Sequence, residues 1–506
     1  MKNKNIFGPL GIALVAGFAV WFATPRFLKA EIVDLVTGIN YLGVLAVVLA
    51  VGAVTAAVLA FTSEDSIGPW ALVAALILTA AISGTANGFL YDSRGAWTEA
   101  DKPMPKMAVR APYEVAENVL KGRASGNVKA AFGGQAAYLP GVNAFSGIFT
   151  KPGWFKSHAR IVQSNLDTGT TVQCEFGVDG GSRADTLVIR SLRSDVWGDG
   201  HMDVQFSDDD VYGFCGPDLD GDSEDPIPWI VAPATTRVGV LSTRPVPAGV
   251  TVYNGQTGDW GFYRDVTDGH VTWNGETLDL PGGNYPISLA SRGREASIRS
   301  QGWWDYKFTN IAGWDVDDDA SSPNSENPDD LLLRYADGAT DTAGTNWAYT
   351  TPLTPRGDSD QITAVGVVDA RDVHAGVESP TTVYSIENGV SASEMNGRIR
   401  TEVKGVGFAK GENTVWEVVP LSSDMLIATI GSDKSANVTV AGKLTEFGMT
   451  LDPSEGTAAG SEPASTNSPT GEAGEDLSGM SDSDLYDLGR DVFDEAERRN
   501  AVPAPE

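Results

Sequence analysis

The sequence predicts a membrane α-helical segment of three transmembrane helices joined to a mostly-β (α+β) soluble domain, with an acidic tail ending in a short amphipathic helix. Three observations predict this class. Three apolar stretches without a charged side chain occupy roughly residues 6–24, 42–61 and 70–90, each near the ~20 residues a helix needs to cross a ~30 Å hydrocarbon core. After Tyr91, short runs rich in Val, Thr and aromatic residues recur between Gly, Pro, Asp and Asn, as strands bounded by turns do. From Asp452 the chain turns to Ser, Gly, Ala, Pro, Glu and Thr without an aromatic residue up to Asp476, a composition too polar to bury a core.

Residues 1–90 read as the three-span anchor. Trp21, Phe22, Tyr41, Trp70 and Tyr91 stand near its boundaries, where amphipathic rings favour the headgroup region. Small residues four apart, Ala13 and Gly17, Gly52 and Ala56, Gly84 and Gly88, would let helices approach closely in lipid, within the bundle or between copies in a homo-oligomer. This predicts a multi-pass protein of the cell membrane, with the lipid bilayer as one partner. Lys2 and Lys4 favour a cytoplasmic N-terminus, whereas Arg26, Lys29, Arg94, Lys102, Lys106 and Arg110 pull the other way. Long domains translocate with little regard to flanking charge, so the body is expected on the extracytoplasmic side.

The 506 residues carry a formal net charge of −31. Four basic and four acidic residues cancel in 1–90, and fourteen acidic against three basic residues give the tail from Asp452 a net −11, which leaves −20 for residues 91–451. So acidic a body excludes nucleic acid as a partner, because phosphates require a cationic face. It agrees with cation binding, a high-salt setting or simple solubility. The two cysteines, Cys174 and Cys215, are candidates for one disulfide in an oxidising compartment, the alternative being two buried thiols.

Along the body, 91–125 reads as a polar connector in which Pro112 opens a short helix over Tyr113–Lys121. Residues 126–451 form the β-rich domain, with a division into two subdomains near 315–330. Val172, Cys174 and Phe176 alternate on one strand face, and Ala184–Val196 has helical spacing. Strands follow near 202–206, 229–232, 237–241, 250–253 and 270–273, then near 347–350, 361–368, 381–386, 414–419 and 425–430. Asn274-Gly275 between β-formers predicts a tight hairpin. Ser391-Ala392-Ser393-Glu394 is a capping box opening a helix with Met395, Ile399 and Val403 on one stripe.

Chemistry-bearing motifs are few. Asp218, Asp220, Asp222, Glu224 and Asp225 surround Gly221, and alternate carboxylates around a glycine turn can converge oxygens on Ca²⁺. The run departs from an EF-hand loop, with no Glu at the twelfth place and with Pro226 and Pro228 following, so a solvated acidic turn is the competing reading. Asp315–Asp319 is a second acidic run of linker character. His158, His201, His270 and His374 stand alone in sequence and make no zinc motif. Gly405-Val406-Gly407-Phe408-Ala409-Lys410-Gly411 has its third glycine one place late for a dinucleotide loop and follows a helix. Trp260, Phe262 and Tyr263, and Trp303, Trp304 and Tyr306, are aromatic clusters that serve as core when buried and as a stacking or partner surface when exposed.

The linker 452–478 precedes an amphipathic segment, 479–500, whose stripe is Leu485, Leu488, Val492, Phe493 and Ala496. A helix of this kind on a flexible tether docks into partner grooves. The chain is therefore expected to be a non-enzymatic protein displaying a β-rich binding or assembly domain. The alternatives are a cell-envelope hydrolase using carboxylates and a bound cation, and a structural subunit of a membrane transport or secretion complex.

Overall fold

The computed structural model describes residues 48–49, 51–53, 73–79, 97–111, 113–124, 129–130, 136–151, 158–177, 185–201, 203–207, 210–219, 221, 225–238, 244–290, 314–316, 332–336, 346–355, 361–386, 389–402, 414–432, 435–445 and 448–452. All of them fall within one unit, Met1–Ser461, and the second unit, Glu462–Glu506, lies outside the described residues.

These residues are mostly β, and the expected membrane class is corrected. Among the described residues no helix is long and apolar enough to cross a membrane, a statement that concerns helices only. The expected span 6–24 lies outside the described residues, and within 42–61 and 70–90 only 48–49, 51–53 and 73–79 are described as helical. The physical reason is length. A helix rises ~1.5 Å per residue, so even the longest described helix, with 14 residues, reaches about 21 Å, short of a ~30 Å core. The three transmembrane helices and the multi-pass membrane localisation are therefore not carried forward. Of the small-residue pairs, Gly52 alone is described, with Leu76 Cδ1 3.8 Å from where its Cβ would stand.

The chain lays down β1 (Trp97–Glu99), α1 (Tyr113–Arg123), β2 (Lys129–Ala130), β3 (Ala137–Leu139), β4 (Ala144–Thr150), β5 (His158–Ser164), β6 (Thr171–Glu175) and α2 (Asp185–Gly198). Next come β7 (Gln205–Phe206), β8 (Tyr212–Gly216), β9 (Ile227–Val238), β10 (Arg244–Asn254), β11 (Trp260–Tyr263), β12 (Asp265–Val266), β13 (His270–Trp273) and β14 (Glu276–Asp279). After these run β15 (Trp314–Val316), β16 (Leu332–Arg334), β17 (Trp347–Pro355), β18 (Ala364–Asp369), β19 (Val373–His374) and β20 (Thr381–Ser385). The last are α3 (Ala392–Glu402), β21 (Thr414–Ser422), β22 (Met425–Ser432), β23 (Ser435–Thr445) and β24 (Gly448–Asp452).

Four sheets of four to six strands carry the described fold. One runs β2-β4-β5-β6 with β3 on β4; a second runs β11-β10-β9-β7 with β8 on β9; a third runs β1-β20-β18-β17-β15 with β16 on β17; the fourth is the meander β21-β22-β23-β24. Two-stranded ribbons, β12–β19 and β13–β14, complete the set.

Local chemistry explains several elements directly. Helix α1 buries Ala116 and Leu120 in the main apolar cluster, pairs Lys121 with Glu117 across one turn at 3.0 Å, and ends on Arg123, which donates to the Gly169 carbonyl at 2.8 Å. In α3, Ser391 Oγ accepts from the Glu394 N–H at 3.0 Å, a side-chain cap on an otherwise unpaired first-turn donor. The Glu394 carboxylate turns to Arg398 at 3.2 Å and so makes an i,i+4 pair within the helix. Between β13 and β14, Asn274 and Gly275 have φ of 47° and 92°, the two left-handed residues that a tight turn of matching twist needs.

One long strand replaces two expected short ones. Residues 227–238 form β9 without a break across Pro233. This proline falls between the stretch that β8 pairs, ending at Val231, and the stretch that β7 pairs, beginning at Ala234. The expected connector is likewise structured. Segment 97–111 adds β1 in parallel to β20, then threads between β16 and β21, with Met107 N–H donating to Leu421 O and Ala108 N–H to Arg334 O, both at 2.7 Å. Met104 and Met107 are buried there.

The centre is a loop. Residues 280–287, Leu-Pro-Gly-Gly-Asn-Tyr-Pro-Ile, are all buried, although a connection inside a protein must find partners for every backbone polar group. Leu280 N–H donates to Gly269 O at 2.7 Å, Asn284 N–H to Ala370 O at 2.7 Å, and Pro281 O accepts from Gly141 N–H at 3.0 Å. The Asn284 carboxamide accepts from Tyr212 Oη at 2.7 Å and donates to Arg371 O at 3.0 Å. Tyr349 Oη donates to Tyr285 O at 3.1 Å. Burial pushes the Tyr212 phenol well above its ordinary range, which keeps it a neutral donor. Glycine is required at 283, where a Cβ would overlap the Tyr349 hydroxyl. Around this loop one apolar cluster draws in Leu120, Phe145, Trp229, Val250, Trp273, Trp347 and Val373, from both sides of 315–330.

Arg244 and Glu378 form a buried ion pair beside this cluster, with side-chain exposures of 3% and 12%. Burial raises the Glu378 carboxyl above the ordinary carboxylate range, and Arg244 offsets only part of the rise. A carboxyl whose folded pKa lies above its unfolded one favours folding most when protonated. Its contribution is therefore fullest below the unfolded Glu value near ~4.3 and is lost as pH rises through the raised folded value. Relative to Glu378→Gln, which does not titrate, the native chain is expected to gain stability as pH falls through that window. Denaturant midpoints of both proteins across pH check this, and parallel profiles would refute it.

Candidate functional site

Strand β11 is the end strand of its sheet, and among the described residues it is hydrogen-bonded to β10 alone. All four of its residues, Trp260, Gly261, Phe262 and Tyr263, are only half-buried. Alternation along a strand sends neighbours to opposite faces. Accordingly Trp260 and Phe262 rest on the small cluster of Val196, Val204, Ala234 and Ala248, while Tyr263 packs against the main cluster. The result is a half-buried aromatic strand, with Trp260 and Phe262 packed on one cluster and Tyr263 on another.

The turn after α2 completes this edge. His201 N–H donates to Val196 O, and its own carbonyl accepts from Val204 N–H. That anchoring brings the imidazole over Phe262, ring centroids 5.0 Å apart, with Arg264 Nη2 3.1 Å from His201 Nδ1. Next to the aromatic row thus stands a planar, nitrogen-rich pair of side chains, with Arg264 exposed. Half-buried aromatics on an end strand offer large flat contact area, one ingredient of the recognition of an extended partner segment.

Cys174 of β6 and Cys215 of β8 form a disulfide, Cα–Cα 5.8 Å, that ties the first sheet to the second. Gln163 of β5 accepts from the Cys215 N–H at 3.2 Å across the same junction. The cross-link therefore holds the sheet bearing β11 against its neighbour.

The other expected site residues are placed as follows. Of the acidic turn, Asp218 and Asp225 are described, while Asp220, Asp222 and Glu224 lie outside the described residues. The Asp218 carboxylate lies close over Gly221, 2.5 Å from where a Cβ would stand. Among the described residues no group of three or more His, Cys, Asp or Glu is positioned to hold a metal ion. The helix stripe Leu485, Leu488, Val492, Phe493 and Ala496, the residues Ala13, Gly17, Ala56, Gly84 and Gly88, and the cluster Trp303, Trp304 and Tyr306 also lie outside the described residues. The histidines, isolated in sequence, acquire neighbours in space. His270 faces Asp279 across the β13–β14 hairpin at 2.6 Å, His374 faces Asp265 across β12–β19 at 3.4 Å, and His158 stacks on Phe176 with ring centroids 5.1 Å apart. What sequence reading missed is the His201–Phe262–Arg264 corner, whose only signal was the aromatic cluster itself.

No protein-family model, curated protein or solved structure matches the chain.

Proposed function

We propose that this protein is a binding and assembly protein whose β-rich body takes an extended segment of a protein partner along strand β11, in an oxidising, extracytoplasmic compartment. The observation that carries the reading is the half-buried aromatic row Trp260, Phe262 and Tyr263 on an end strand. Interfaces are enriched in such side chains, and strand addition combines their contact area with backbone hydrogen bonds. The disulfide supports the compartment, since structural cross-links persist where surroundings are oxidising. The net −20 of residues 91–451 favours a basic partner, with an association rate that falls as salt rises. On sequence grounds, residues 479–500 supply a second docking element through their apolar stripe.

The test is affinity capture with cross-linking from the native cells, using the full chain, Trp260→Ser/Phe262→Ser and a chain lacking 477–506. A basic protein retained by the full chain, lost with the β11 variant at unchanged melting temperature, and released by rising salt is the expected result. Identical capture by the full chain and the β11 variant would sink the β11 assignment. An unchanged profile for the truncated chain would remove the second docking element.

A further inference from the structure

We propose that Asn437 is a site of N-linked glycosylation. Asn437-Val438-Thr439 is the only Asn-x-Ser/Thr triplet in the chain, with no proline at its centre, and this spacing is the acceptor pattern of oligosaccharide transfer to asparagine.

The fold places the triplet in an irregular stretch of its strand. Strands β22 and β23 pair from Met425↔Lys443 to Ser432↔Ser435, and the register shifts between Ile430↔Val438 and Gly431↔Ala436. Asn437 is therefore the extra residue of a β-bulge, with no partner in β22. Bulges bend the strand and re-aim residues at sheet edges. On the other side, β24 pairs with β23 only from Ala441 to Thr445. Residues 435–440 thus overhang the sheet, with β22 as their one neighbouring strand among the described residues. Asn437 sits two positions from the hairpin's closing pair, Ser432↔Ser435. The Cys174–Cys215 disulfide supplies an independent observation, because a chain that matures in an oxidising compartment passes through the setting where such transfer occurs.

The chemistry balances without an oxidant or reductant. The Asn437 carboxamide nitrogen bonds to the anomeric carbon of a lipid-linked oligosaccharide. The bond from that carbon to the lipid pyrophosphate oxygen breaks, the lipid pyrophosphate leaves with the electron pair, and the amide proton passes to a base of the transferase. A bulky hydrophilic sugar at this position would cover the side of β23 that β24 does not pair, which disfavours pairing with another chain.

The full chain is directed through the secretory pathway of a host that glycosylates asparagine, and disulfide formation is verified in the same sample. Trypsin cuts after Lys434 and Lys443, so the peptide 435–443 carries Asn437 as its only asparagine. The expected result is this peptide bearing hexose-containing mass, with amidase release of the sugar in heavy-oxygen water leaving a labelled aspartate at 437. Asn437→Gln and Thr439→Ala should each abolish the added mass, and Thr439→Ser should retain it. A bare peptide as the dominant form in disulfide-bonded material would overturn the assignment, as would added mass that survives in Asn437→Gln.

Discussion

Removing the Cys174–Cys215 bridge is expected to destabilise the body by about 4 kcal/mol, the loop-closure estimate for a cross-link of this span. The two cysteines are 41 residues apart and belong to different sheets, so the bond constrains a long loop of the unfolded chain and pins two sheets of the folded one. A Cys174→Ala/Cys215→Ala chain should melt on the order of 10 °C lower, and reductant should shift the native protein similarly while leaving the double variant unmoved. Scanning calorimetry of both proteins with and without reductant reads the effect. Equal melting temperatures in all four samples would mean that the junction is held by packing alone. Because the second sheet also bears β11, partner capture should weaken in the same variant near its melting range, well before Trp260 or Phe262 is altered.

Truncating Asn284 should cost nearly as much. Its carboxamide is fully buried, accepts from Tyr212 Oη and donates to Arg371 O. Asn284→Ala leaves both partners without it in the protein's centre and opens a small cavity, worth about 3 kcal/mol at ordinary magnitudes for lost buried hydrogen bonds. Tyr212→Phe removes one of the same bonds, so the two substitutions together should cost less than their sum by about 1 kcal/mol, as residues of one network do. Urea titrations of the two single variants and the double variant measure the coupling; strict additivity would show that the hydrogen bond contributes nothing of its own. Asn284→Asp keeps the shape and adds a buried charge, so it should be the most damaging of the set at neutral pH and recover on acidification.

Elements governed by a few adjacent residues could be read from sequence. The Asn274-Gly275 hairpin has the backbone its residues demand, and Ser391 caps α3 where its position before Ser393-Glu394 predicts. Readings that relied on composition fared worse. Apolar length at 42–61 and 70–90 implied spanning helices, yet among the described residues no helix is long and apolar enough to cross a membrane. The polar, proline-bearing segment 97–111 looked like a linker, yet its N–H groups find carbonyls in β16 and β21 and two methionines fill the gap between the sheets. Two short strands were expected near 229–232 and 237–241, and only the gap between β7 and β8 shows why β9 continues through Pro233. At the candidate site, Trp260, Phe262 and Tyr263 stood out as a cluster, but their half-exposure depends on β11 being an end strand, a property of sheet order.

The sequence alone determined the β-rich character, the acidic body, the turns and the cap, and it offered Cys174 and Cys215 as a pair. Each of these follows from side-chain chemistry acting over a few residues or from a simple count. Tertiary structure alone decided that Pro281-Gly282-Gly283-Asn284, made of turn-forming residues, is buried in the main core. Its polar groups are satisfied by Tyr212 and Arg371, 72 and 87 residues away in the chain. A loop can be buried only when such distant partners arrive together, and their arrival is set by the packing of whole sheets.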